Sequence, residues 1–172
     1  MKKLLLLFIF ACMIALADAQ VYVGGSVSVW VDENKKTETT TLDFLPEVGF
    51  VLSDRWSLGT VLGYTQKEVD GTSTNKTFEF APYARFSFYR FDLVRLFVDA
   101  NFSLYSSKAG KADRQTTYGV GLKPGVALDL SDRISLVAKY GFFGYRQYDD
   151  DHDAFGFNIN GNGLSLGMFY TF

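Results

Sequence analysis

Along most of this chain apolar and polar residues alternate one by one, without the three-and-four spacing of a helix. Residues 21–32 set Val21, Val23, Val27, Val29 and Val31, with Gly25 among them, against Tyr22, Gly24, Ser26, Ser28, Trp30 and Asp32. Successive side chains of an extended strand point to opposite faces, so this alternation predicts a strand with one greasy side. The pattern recurs over 40–52, 56–66, 77–89, 94–104, 118–130, 134–145 and 155–172. Polar stretches at 33–39, 67–76, 106–116 and 146–154 predict longer loops. Short turns fall at 53–55, 90–93 and 131–133, the first and last both reading Ser-Asp-Arg. Eight antiparallel strands follow, with connections alternating long and short.

Two strands test the pattern. In the last, Leu164, Leu166, Met168, Tyr170 and Phe172 share the apolar face opposite Gly163, Ser165, Gly167 and Thr171, with Phe169 the one large intruder. Phe155, Phe157 and Ile159 are out of phase with Leu164 onward, and a bulge at Asn160-Gly161-Asn162 would restore the register. In strand seven, Leu136, Ala138, Tyr140 and Phe142 form the apolar face.

Charge decides which side faces what. Asp43, Glu47, Glu79, Arg85, Arg95, Asp99, Lys123 and Lys139 all fall on the faces that also carry glycine and serine, and the apolar faces of those strands carry no charge. A charge facing hydrocarbon at mid-membrane costs about 2–4 kcal/mol, so this segregation suits a wall with lipid outside and a narrow polar interior. A lipocalin-like soluble barrel would have the opposite sense. The fold class read from the residues is therefore all-β, an eight-stranded antiparallel up-and-down transmembrane β-barrel, its eight luminal charges paired into a plug. Trp56, Tyr64, Phe78, Phe88, Tyr118, Tyr170 and Phe172 fall near strand ends, where interfacial girdles belong. Pro46, Pro82 and Pro124 sit on the lipid side of strands two, four and six, a breach of ladder bonding that the pattern does not explain.

The amino terminus adds export. Met1-Lys2-Lys3, an apolar run over 4–16 and Ala17-Asp18-Ala19 predict a cleavable signal peptide at 1–19, with the barrel domain at 20–172. The run is shorter than the roughly 20 residues a spanning helix needs. Cys12, the only cysteine, lies inside it. A lipoprotein site there is the weaker reading, because the apolar run continues past it, and no disulfide is expected. A net charge of −2 points to no nucleic acid partner and no polybasic anchor.

Candidate chemistry is thin. The one histidine, His152, stands in Asp149-Asp150-Asp151-His152-Asp153, while Ser73, Ser106 and Ser107 occupy other loops. Acyl chemistry needs nucleophile, base and carboxylate held together, and nothing in the spacing does this, so no catalytic residue is expected. The acidic run lacks the glycine and spacing of an EF-hand, so no metal or other cofactor is expected. Lys108, Lys111 and Arg114 make the third loop basic, able to meet lipid phosphates or the acidic fourth loop.

Three stretches carry a family resemblance: Pro46-Glu47-Val48-Gly49-Phe50-Val51-Leu52 leading to Ser53-Asp54, then Ala81-Pro82-Tyr83-Ala84-Arg85-Phe86, and residues 163–172 with their terminal Phe. The chain resembles the eight-stranded outer-membrane β-barrel family that includes OmpX and the OmpA transmembrane domain. The resemblance implies an assembly signal at Tyr170 and Phe172, read by periplasmic chaperones and the barrel-assembly machinery. It also implies a monomer surrounded by outer-membrane lipid and lipopolysaccharide, with both termini in the periplasm. Members of this class include adhesins, structural proteins, small-solute channels and lipid-modifying enzymes. The expectation is a structural or surface-interaction barrel whose loops meet an unidentified extracellular ligand. A small-solute porin is the alternative, and a lipid-modifying enzyme the second alternative.

Overall fold

The computed structural model describes residues 19–34, 37–69, 72–109, 114–149, 152–158 and 164–172. The rest of the expected signal peptide and the bulge expected at Asn160-Gly161-Asn162 lie outside the described residues. Ten strand segments run in order: β1 (Gln20–Asn34), β2 (Thr37–Val51), β3 (Trp56–Val69), β4 (Thr72–Phe91), β5 (Val94–Ala109), β6 (Gln115–Asp129), β7 (Ile134–Tyr140), β8 (Phe142–Asp149), β9 (His152–Asn158) and β10 (Leu164–Thr171). They make eight staves, because β7 and β8 both lie along β6, while β9 continues the line of β10. Each stave pairs antiparallel with the next, and β10 closes the ring on β1 through Tyr22–Gly25 opposite Met168–Thr171. The fold is an all-β closed barrel of eight antiparallel strands.

The wall is apolar outside. Leu62, Val120 and Leu166 are 52 %, 53 % and 65 % exposed, whereas Arg85 and Asp99 are 4 % and 2 % exposed. A soluble monomer rarely leaves so continuous an apolar surface in water, and a wall bathed by hydrocarbon requires it. Except in strand seven beyond Gly141, the two sides of the described wall are sorted as the alternation implied.

The predicted long loops are mostly strand. Pairing continues to Asn34↔Thr37, Val69↔Thr72, Ser107↔Gln115 and Asp149↔His152, so the polar stretches at 33–39, 67–76, 106–116 and 146–154 are largely tall hairpin ladders. Polarity marks where the wall leaves hydrocarbon. It does not mark where backbone pairing stops, and the threonines there suit an extended chain.

Strand seven departs from the simple alternation. Its pairing to β6 runs Gly125↔Lys139 below and Leu122↔Phe143 above, one residue out of step. Gly141 absorbs the extra residue at φ 79°, a left-handed conformation that a Cβ would strain. The consequence is a correction: Phe143 faces outward, and Phe142 turns into the lumen. Stave eight changes phase at the same height, since Phe155 and Phe157 face outward below 159 and Leu164 and Leu166 do so after 163.

The prolines also find their reason. Next to Pro46 the β2–β3 ladder jumps from Phe44↔Tyr64 to Glu47↔Val61. Next to Pro82 the β4–β5 ladder jumps from Phe80↔Leu104 to Tyr83↔Asn101. Next to Pro124 the pairing of β6 passes from Leu122↔Phe143 to Gly125↔Lys139. Each ring stands where the ladder on one side lapses for two residues, as a residue without an N–H requires, while the ladder on the other side runs through it.

Candidate functional site: a packed polar lumen

The lumen at mid-height is built on glycines facing aromatics. Tyr22, Gly49, Gly59 and Tyr83 lie in one cross-strand row over β1 to β4. A Cβ at Gly49 or Gly59 would meet the Tyr22 side chain, so the two glycines open the floor on which both tyrosine rings lie. The phenol oxygens meet at 2.7 Å. Across the barrel Phe97 lies on Gly125, its register partner, and is fully buried. Phe169, the intruder in the last strand, packs on Tyr22 with ring centroids 5.9 Å apart. The small residues of the charged face are thus the complement of a few large ones.

Threaded through these rings is an ion network. Tyr83 donates to Glu47 at 2.8 Å. Lys139 donates to both Glu47 oxygens at 2.6 and 2.8 Å and stands 3.6 Å from Asp99. Arg85 holds Asp99 with two parallel bonds, Nε at 2.7 Å and Nη2 at 2.9 Å. Its guanidinium lies 4.0 Å from the centre of the Phe97 ring. Two cations and two anions, all nearly out of water, make a neutral cluster in which every charge has an opposite neighbour. That is the condition under which burying them is tolerable.

The eight luminal charges do not form one network. Glu47, Arg85, Asp99 and Lys139 make the central cluster. Arg95 lies nearer the short-turn end and grips Asp129 at 3.1 and 2.9 Å, with Ser135 donating to the same carboxylate at 2.8 Å and Arg90 in ion-pair range of it at 3.5 Å. Asp43 accepts from Thr65 at 2.7 Å on the hairpin side. Glu79 and Lys123 line a cavity of about 180 Å³ above the central cluster, together with Arg146 and Phe142. A wider recess of about 470 Å³ opens at the short-turn end, around Arg95, Asp129 and Ser135. Between these two hollows sit Phe97, Ala127, Ala81 and Asp99, none more than 2 % exposed.

Sequence reading missed Tyr22, Tyr83, Phe97 and Phe169 as lumen fillers, because an aromatic on a polar face reads as an exception. Their signal was the glycine one strand over, visible only once the register is known. Asp129 was on the correct face but not chosen, and Arg146 was assigned to a loop.

The other candidates are not assembled. Among the described residues no group of His, Cys, Asp and Glu is placed to hold a metal. Asp150 and Asp151 lie outside the described residues, and His152 enters only as the backbone partner of Asp149 at a hairpin tip. Ser107 bonds Thr77 at 2.9 Å. Of the basic third loop, Lys108 is exposed, and Lys111 lies outside the described residues. Among the expected girdle residues, Trp56 packs on Phe86, Tyr64 on Phe78 and Tyr170 on Phe172, with centroids 4.8, 5.1 and 5.0 Å apart.

An inside-out barrel with a charged, packed lumen defines a membrane-spanning β-barrel protein. The chain belongs to the outer membrane protein beta-barrel domain family, whose pattern matches residues 4–172, and it is a protein of the outer membrane. Among solved structures it is similar to Neisserial surface protein A at 18 % identity and a TM-score of 0.60, covering 88 % of this chain and 97 % of that one. The outer-membrane protein Ail of Yersinia pestis, solved in a phospholipid bilayer nanodisc, aligns at 14 % identity and a TM-score of 0.49 over 90 % of this chain and 100 % of that one. These likenesses concern the fold alone. No curated protein matches the chain.

Proposed function

We propose that the barrel is a non-conducting, non-enzymatic outer-membrane protein with a structural or surface-interaction role, its specificity carried by the tall polar hairpins. The observation that supports this is the closed middle of the lumen. Phe97, Tyr83, Phe169 and the Glu47–Lys139–Asp99–Arg85 cluster fill the cross-section between the two hollows. An ion crossing it would have to break the charge-assisted bonds that hold Glu47, Lys139, Asp99 and Arg85 together. With transport blocked and no catalytic group assembled among the described residues, the hairpin ends remain the surface through which the protein acts.

In this reading the hairpins are extracellular, and both termini and the short turns are periplasmic. The monomer sits in outer-membrane lipid and lipopolysaccharide and is inserted by periplasmic chaperones and the barrel-assembly machinery acting on Tyr170 and Phe172. The extracellular ligand is of unknown chemistry. Purified protein in planar bilayers tests the closed lumen. The expected record has no stable open level, and a large, persistent conductance would move the assignment to a small-solute porin.

A further inference from the structure

The cavity above the plug is electrically unbalanced. Its lining carries Lys123, Lys139 and Arg146 against Glu47 and Glu79. Lys139 is already committed to Glu47 at 2.6 Å, and the cluster beneath it is neutral. That leaves two cations, Lys123 and Arg146, with the single carboxylate of Glu79. Among the described residues neither cation has a carboxylate within ion-pair distance. Arg146 has its Nε buried without a hydrogen-bond partner, and its guanidinium lies 4.3 Å from the centre of the Phe142 ring. A buried donor on a cation with nothing to accept from it is costly, whereas an oxyanion in the adjoining space would satisfy it.

We propose that this cavity is a binding site for one small oxyanion, a phosphate or carboxylate group held between Lys123 and Arg146. The volume of about 180 Å³ admits a group of that size together with several waters. Arginine supplies planar, paired donors and lysine a point charge, a combination that suits phosphate or carboxylate oxygens. Glu79 limits the site to a singly charged excess, so a monoanion balances it. This site is separate from the loop role proposed above, and lies above the plug without requiring it to open.

The anion has two possible sources. One is bulk solution through the hairpin mouth. The other is a lipid headgroup entering from the side. Among the described residues β9 is bridged to β8 along one edge, and no bridge joins its other edge to β1 above Gly25. Gly156 on β9, paired with Gly144, has open space where a Cβ would stand off the face of the strand. Ser165, part of the cavity lining, bonds Ser26 at 3.1 Å at the foot of this gap.

Amide resonances of Gly141 and Ser165 report on the site. Inorganic phosphate is titrated into the full barrel in maltoside detergent, and in parallel the barrel is placed in nanodiscs of phosphatidylcholine or phosphatidylglycerol without added phosphate. Saturable shifts at both residues are expected with inorganic phosphate, with phosphatidylglycerol, or with both, and the responding arm names the source. Lys123→Met and Arg146→Met should each weaken the response about tenfold or more, the loss of one charge-assisted contact. Lys108→Ala should leave it unchanged, and Lys123→Arg and Arg146→Lys, which keep the charge, cover the case in which a methionine variant does not fold. No saturable shift in any arm, or shifts unaltered in folded variants lacking either charge, would overturn the site.

Discussion

Tyr22 and Tyr83 share a hydrogen bond of 2.7 Å across two strands that contribute only glycine at that level, Gly49 and Gly59. The pair links the seam strand β1 to the centre of the wall and passes its proton donor on to Glu47 at 2.8 Å. Removing Tyr83's hydroxyl breaks the shared bond and the 2.8 Å bond to buried Glu47, whereas removing Tyr22's breaks the shared bond and only a long 3.4 Å contact with the Leu58 carbonyl. Tyr83→Phe should destabilise the barrel by about 1–3 kcal/mol and Tyr22→Phe by less, measured by urea unfolding in lipid followed by gel migration. Equal losses, or none, would remove the pair from the account of stability.

Gly49→Ala tests the same floor from below. Its Cβ would collide with the buried Tyr22 ring and with the Leu58 carbonyl oxygen, so a cost of about 1–3 kcal/mol is expected. Combining it with Tyr22→Ala should restore only part of the loss, because the collision with the ring disappears and the one with the Leu58 carbonyl stays.

Arg85 and Asp99 are the most deeply buried ion pair and should show the asymmetry of such pairs. Arg85→Met alone or Asp99→Leu alone leaves a charge without its partner and should cost about 3–5 kcal/mol. The double substitution should cost clearly less than the sum. A double-mutant cycle on unfolding free energies checks this, and simple additivity would mean that the pair is uncoupled.

The wall itself predicts a depth profile. Arginine at Leu62 or Val120 should destabilise the folded barrel by about 2–4 kcal/mol, and arginine at Leu130, beside the short turn 131–133, by about 0–1 kcal/mol. Unfolding from lipid vesicles measures the difference. A flat profile would mean that the wall does not sit in hydrocarbon.

At the carboxy terminus, Phe172 donates its backbone N–H to Val21 at 2.9 Å, and Thr171 donates to Arg133 at 2.8 Å, so the last residues close the ring at one end. Deleting Phe172 removes one such bond and an aromatic packed on Tyr170. The purified variant should still fold in detergent, with a small stability loss of about 1 kcal/mol. Its outer-membrane yield in cells should fall much further, because that residue is proposed to be read during assembly. Equal yields by quantitative blot would exclude an assembly role.

Much of this was legible in the residues alone, for one reason. A strand with hydrocarbon on one side and a narrow interior on the other must repeat every two residues, and Val21 to Val31 or Val94 to Leu104 cannot be read otherwise. Strand number, facing and the seclusion of Asp43, Glu47, Glu79, Arg85, Arg95, Asp99, Lys123 and Lys139 from the lipid side all follow from that period. What the period could not supply was register. Which glycine lies beneath Tyr22, which acid meets Lys139, and why Pro46, Pro82 and Pro124 are tolerated depend on how strands slide past one another, and alternation is blind to sliding by two residues. The turn of Phe142 inward has the same origin, since one extra residue at Gly141 inverts every face beyond it. The pattern determined what the barrel shows to lipid; only the paired strands decided what fills its interior.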